Sequence, residues 1–379
     1  MKTFTLGLPL AAAILVGSFY STAQAQTTAT TDPVGFYTIA VAGASDNLIS
    51  VPMVRDAVFA GTVAGSVAAA SFTVNAGSTS PNWTASQFVY SAATQPLTYY
   101  AEFTSGPLQG LYYRITANTT NSLTLDTEGD DLTLHPLTGN ATAALAIGNS
   151  LRIRPYWRIS EVLQNGASPV IEAWPDADTV KDEVLIPNYT AVSQNKAPNL
   201  SLHYDTSLAG WRAFGDDSTN YGNYILRPNE AFIIRRRNAA ALSITSLGSV
   251  LLNRTISFVP GGSATKGNDT FISIARPAAV TLNASGLRIA DQTKSLITDS
   301  PDSDTITDQL LAYTPGTGFN RAPNQTYYYL QGAGWRKFPD DITDVGATVS
   351  LSPGTTYIVR KKVNSSGRDW INDPNYTNN

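Results

Sequence analysis

The sequence predicts a mostly β protein: two homologous β-sandwich-like modules, the first interrupted by a small β-barrel or sandwich insertion. Three observations carry that expectation. A long stretch occurs twice, the composition favours strands and turns over helices, and the two copies differ by one internal block.

The duplication is legible in residue order. NKAPNLSLHYDTSLAGWRAFGDD followed by LRPNEAFIIRRR recurs as NRAPNQTYYYLQGAGWRKFPDD followed by LSPGTTYIVRKK. Asn195, Ala197 and Pro198 return as Asn320, Ala322 and Pro323, Trp211 and Arg212 as Trp335 and Arg336, Pro228 as Pro353, and Arg235 as Arg360. Strand one also matches, with Thr38 and Ile39 set against Thr255 and Ile256, and Ile49 against Ile272. The copies part at Ala275, where Pro would match Pro52, and at Asn229, where Gly would match Gly354.

Composition supports the β reading. The chain has 379 residues, 42% apolar and only 14% charged, with 28 Gly and 21 Pro. That length suggests about two or three domains. Runs of Glu, Lys and Leu that would build long helices are missing, while Thr, Tyr and turn residues suit short strands.

The two copies are not the same length. Their offset falls from 223 at Ile49/Ile272 to 126 at Asp178/Asp304, which puts about 97 extra residues inside the first copy. The expected boundaries are residues 33–65 plus 158–248 for the first module, 66–157 for the inserted β-domain, and 249–379 for the second module. Within the insertion, Leu111, Tyr113 and Ile115 alternate with Tyr112 and Arg114, and Leu123 and Leu125 follow a turn, the period-two pattern of strands.

Residues 1–26 read as a secretory signal peptide, with Lys2, an apolar run from Leu6 to Phe19, and Ala23 and Ala25 in an A-x-A arrangement. That run is shorter than the roughly twenty residues of a membrane span, so no transmembrane segment is expected. The expectation is a secreted or cell-surface protein of bacterial type. Cysteine is absent, so the modules must hold together through their cores. Without the leader, 24 basic residues stand against 29 acidic, a net charge of −5. Nucleic acid is an unexpected partner for such a chain, because binding it calls for a basic face.

The NLISVP start, the block ending SLRIRPYW, the GWR hairpin, LSPGTTYIVRKK and a terminal W-x-x-x-P-x-Y together resemble an uncharacterised family of secreted proteins known chiefly from Verrucomicrobia. The resemblance covers nearly all of the mature chain and implies export and a repeated β fold. It implies no activity and no site residues.

Candidate chemistry is sparse. Trp211 and Trp335 follow Gly in matching hairpins, as core anchors do. Arg235 to Arg237 and Arg360 to Lys362 end matching strands, where they would solvate a sheet edge and pair with the acidic loops at Asp216/Asp217 and Asp340/Asp341, or dock an anionic polysaccharide. Calcium is the one cofactor left open, through Asp299, Asp302 and Asp304, with Asp176/Asp178 and the Glu128, Asp130, Asp131 cluster behind them. The two histidines, His135 and His203, read as surface or hairpin residues rather than bases. HExxH and GxSxG are missing, and GGSATKG lacks the Gly-Lys-Ser/Thr order of a phosphate loop. The expectation is therefore a non-enzymatic structural or adhesive protein, whose partners are itself or other surface proteins. The alternative is a carbohydrate-binding protein, with Trp83, Tyr99, Tyr100, Tyr112 and Tyr113 of the insertion exposed to a polysaccharide.

Overall fold

A computed structural model describes residues 32–373 apart from 66, 67, 69 and 139–142. The signal-peptide reading lies outside the described residues. In chain order the first module supplies β1 (Val34–Val41) and β2 (Ser45–Ser50). Six strands follow: β3 (Phe59–Val63), β4 (Ser71–Asn75), β5 (Tyr99–Phe103), β6 (Tyr112–Asn118), β7 (Ser122–Asp126) and β8 (Ser150–Pro155). The first module resumes with β9 (Trp157–Arg158), one helical turn α1 (Ile159–Val162), β10 (Gln164–Asn165), β11 (Ser168–Pro169), β12 (Glu183–Pro187), β13 (Pro198–Asp205), β14 (Gly210–Ala213), β15 (Ile225–Leu226), β16 (Ala231–Arg236) and β17 (Leu242–Ser249). The second contributes β18 (Thr255–Val259), β19 (Asn268–Ser273), β20 (Val280–Thr281), β21 (Gln309–Ala312), β22 (Gln325–Leu330), β23 (Gly334–Lys337), β24 (Ser350–Leu351), β25 (Thr356–Lys361) and β26 (Arg368–Asn372).

The fold is nearly all β, and the two modules repeat strand for strand. One five-stranded sheet runs β14-β13-β12-β16-β2 and the other β23-β22-β21-β25-β19, each element in the place of its counterpart. Each sheet is faced by a two-stranded ribbon, β1 with β17 in the first module and β18 with β26 in the second. The tail strand β26 thus closes its module as β17 closes the other. Between sheet and ribbon lie two matching cores. Ile39, Val41 and Ile244 meet Ile49, Val184, Ile234 and Trp211 in one. Val259 and Trp370 meet Ile272, Leu310, Val359 and Trp335 in the other. The repeated Gly-Trp therefore anchors both cores, each indole being 1% exposed. Burial of a large apolar side chain contributes on the order of 1.5–3 kcal/mol.

One sequence match shifts by a residue in three dimensions. Ile39 points into the core of its own module, whereas Ile256 points the other way and joins the core of the barrel. Val41 and Val259 are the inward-facing equivalents. Side chains alternate faces along a strand, so a one-residue slip exchanges core for exterior.

The six strands β3 to β8 close into a barrel in the order β3-β4-β7-β6-β5-β8. Alternation fills it: Phe72 and Val74, Leu123 and Leu125, Tyr113 and Ile115, Leu151 and Ile153 all point inward. Over one end, Trp83 packs edge-on against Phe59 and Phe88, with ring centroids 4.8 and 5.1 Å apart, and Phe88 against Tyr99 at 5.4 Å. The barrel begins at Phe59, ahead of the expected boundary at residue 66. Comparing copies fixes the length of an insertion but not its ends, because residues flanking the insertion have no counterpart to pin them.

Although its chain interrupts the first module, the barrel sits on the ribbon of the second. Ile256 packs into the barrel core and donates its N–H to the Gly110 carbonyl at 2.9 Å. Gly110 has φ +99, and a Cβ there would come within 2.9 Å of the Arg254 carbonyl, so both backbone conformation and close approach call for glycine.

The two departures from the repeat explain each other. Asn229 has φ +61 where its counterpart Gly354 has φ +69, and Asn is the side chain that best tolerates this left-handed region. Its Oδ1 accepts the N–H of Ala275 at 3.0 Å, a donor that a proline, as at Pro52, would lack. Ala275→Pro should cost about 1–3 kcal/mol by leaving a buried acceptor unmet. Adding Asn229→Gly should recover part of that cost, so a double-mutant cycle by urea denaturation should show clear non-additivity.

Candidate functional site

The two five-stranded sheets meet through a small apolar seam of Ala231, Phe271, Leu311 and Ile358, with Leu48, Tyr189 and Tyr313 beside it. A reciprocal clamp flanks it. Arg235 grips Asp46 with two hydrogen bonds of 2.8 and 2.9 Å and reaches Asn320 of the other module at 2.9 Å, while the Asn320 N–H donates to Asp46 at 2.7 Å. Arg360 does the same with Asp269 at 2.8 Å and Asn195 at 2.8 Å, and the Asn195 N–H donates to Asp269 at 2.7 Å. Asn195 and Asn320 both have φ +50. Hydrogen bonding to their carboxylates raises the pKa of both arginines. Each module therefore offers the same loop to the same pair on its twin, the pattern of an isologous two-fold contact inside one chain.

At one end of the seam lies a cleft of about 180 Å³, walled by β1 and β2 on one side and by Tyr313, Thr314 and the Pro353–Gly354 turn on the other. Arg321 is the only charged residue lining it. Its two terminal nitrogens donate to the backbone carbonyls of Thr314 and Asp46, each at 3.1 Å, while its shielded Nε–H has no partner. It makes no ion pair with a described residue. The hydroxyls of Tyr37, Tyr313, Thr314 and Thr355 likewise make no hydrogen bond with the described residues. Across the seam, where Phe271 stands in the place of Leu48, the Tyr189 ring lies 6.2 Å from Phe271 and its hydroxyl exchanges hydrogen bonds with both backbone groups of Ala231. The smaller Leu48 lines the cleft.

The residues expected to form an exposed aromatic face do not. Trp83, Tyr99, Tyr100 and Tyr113 are buried. The first two and Tyr113 belong to the barrel core, and Tyr100 packs against Tyr156, centroids 4.6 Å apart, where the barrel meets the first module. Tyr112 is half-buried with its hydroxyl on the Pro228 carbonyl at 2.6 Å. In a small closed barrel, large rings are what fills the interior.

The acidic candidates also turn to internal partners. Asp299 pairs with Arg288 at 3.0 Å, and Asp302 accepts the N–H groups of Asp304 and Thr305 at 3.0 and 2.6 Å. Asp176 repeats this with Asp178 and Thr179, so the recurring Pro-Asp-x-Asp-Thr is a capped turn. Among the described residues no group of three or more His, Asp or Glu side chains is arranged to hold a metal ion. The strand-end cations do not solvate an edge or meet the acidic loops. β16 and β25 are interior strands, so Arg236 pairs with Asp182, Arg237 with Glu183, and Lys361 with Asp308. Asp216 and Asp340 cap their own loops instead.

Both histidines are buried rather than superficial. His203 stacks on Trp174, centroids 3.9 Å apart, and burial lowers its pKa. His135 joins the barrel to the second module: Nδ1 lies 2.7 Å from Asp130 and Nε2 2.9 Å from Asp369 of β26, while the Tyr113 hydroxyl donates to Asp130. Burial works against the imidazolium, but hydrogen bonds to Asp130 and Asp369 outweigh it and lift the pKa to about 9. The folded value lies above the unfolded value of about 6.5. The bridge therefore stabilises fully below about pH 6.5 and is lost as pH rises through about 9. Urea midpoints should fall over that interval, and His135→Gln should lose roughly 3 kcal/mol at pH 6 while flattening the pH slope.

Comparison with protein-family models, with curated proteins and with solved structures returns no match. No helix among the described residues is long and apolar enough to cross a membrane.

Proposed function

We propose that the chain is an exported, non-enzymatic structural or adhesive component of a cell surface or matrix, and that it assembles with copies of itself through the outer face of the β1–β17 ribbon and the edge of β1. The observation that carries this reading is the difference between the two ribbons. In the second module the barrel covers part of the outer face, through Ile256 and the His135–Asp369 contact, while Ile371 beside Ile256 stays 38% exposed. In the first module the same face is open, with Val34 62%, Phe36 71% and Leu247 62% exposed, and Phe36 paired across the strands with Leu247. Its remaining outward residues are Thr38, Ala40, Ser243 and Thr245, so the face carries no charge. Natural edge strands are normally blunted by Lys, Pro or a bulge; the eight-residue β1 runs without any of these from Val34 to Val41. A second copy can add to such an edge by main-chain pairing. Export is supported by the leader-like residues 1–26.

Sedimentation velocity over a micromolar concentration series should show reversible association. Phe36→Lys or Leu247→Glu should shift the boundary to the monomer with circular dichroism unchanged. A chain that stays monomeric throughout would sink this reading.

A further inference from the structure

We infer that the seam cleft binds one acidic sugar residue, a uronic acid of an anionic polysaccharide. This goes beyond self-assembly and turns on Arg321, Tyr313 and Thr314, although the cleft shares β1 with the assembly surface. The cleft carries a positive charge without a counter-charge: Arg321 is anchored by two neutral carbonyls, and no carboxylate lines the space. The neighbouring Asp46 carboxylate is committed to Arg235 and to the Asn320 N–H. The uncompensated charge calls for an anion; charged hydrogen bonds are about twice as strong as neutral ones.

The walls fit a sugar ring. Tyr37 and Tyr313 flank the space, and amphipathic rings of this kind offer a carbohydrate both an apolar face and a polar tip. Four hydroxyls, on Tyr37, Tyr313, Thr314 and Thr355, are uncommitted within the protein and match the many hydroxyls of a pyranose. The cleft's 180 Å³ falls short of the roughly 300 Å³ at which drug-sized pockets begin, which suits one ring with its chain continuing outside.

The internal symmetry supplies a control. Lys196 stands in the repeat where the cleft has Arg321, and across the seam Tyr189 packs on Phe271 and Ala231. Thr314 lines the cleft, so a tyrosine introduced there would place a ring in it.

The test is isothermal titration of the purified chain with oligogalacturonate and with a neutral galactose oligomer. The acidic oligomer should saturate one site and the neutral one should bind about tenfold more weakly or worse. Arg321→Gln should weaken acidic binding about tenfold, Lys196→Gln should leave it unchanged, and Thr314→Tyr should abolish it by filling the cleft. Thr314→Tyr removes no existing side-chain contact, so it remains decisive if Arg321→Gln unfolds. Absence of saturable binding at millimolar oligomer, equal affinity for the neutral oligomer, or full binding by Thr314→Tyr would each overturn the assignment.

Discussion

The structure depends on a reciprocal clamp in which a carboxylate and a guanidinium on one module hold the backbone and side chain of a left-handed asparagine on the other. Asp46 with Arg235 receives Asn320, and Asp269 with Arg360 receives Asn195. The carboxylates are nearly buried, and each is bound bidentately, the arrangement in which an ion pair offsets its own desolvation. The apolar seam between the sheets is small, so specificity of docking falls to these polar contacts. Because the same contact is made twice, an error in one copy would have to be matched in the other.

The barrel breaks that symmetry. It departs from the first module between β2 and β9 and lands on the ribbon of the second, where Ile256 enters its core and His135 reaches Asp369. Two consequences follow from one placement. The second ribbon has its outer face covered at Ile256 and Asp369, whereas the first ribbon leaves Phe36 and Leu247 open. The cleft goes with a smaller asymmetry: Leu48 lines it, where the twin strand has Phe271 beside Tyr189. Duplication doubles a surface, and substitution on one side of the seam leaves that side available for a separate use.

Much of the architecture was legible in the chain. Repetition of Gly-Trp-Arg announced two matching cores, and Trp211 and Trp335 occupy them. Alternation at Leu111, Tyr113 and Ile115 announced inward-facing residues of a barrel strand. The candidate site was not legible. Arg235 was visible as a repeated strand-end cation, but its partner Asp46 lies 189 residues away and carries no motif of its own. The aromatic rings of the insertion failed as a binding face for a related reason: a tyrosine on a strand reads the same whether its side faces water, a barrel core or a neighbouring module.

What the sequence by itself determined is therefore local and periodic: mostly β structure, a repeated stretch, an inserted block, and alternating strand residues. Each follows from short-range sterics or from alternation within one strand. Tertiary structure alone decided which faces are covered, where each charge finds its partner, and that a cleft opens beside Arg321. Those outcomes depend on how separately folded surfaces meet, and a one-residue change of phase, as between Ile39 and Ile256, is enough to move a side chain from one core to another.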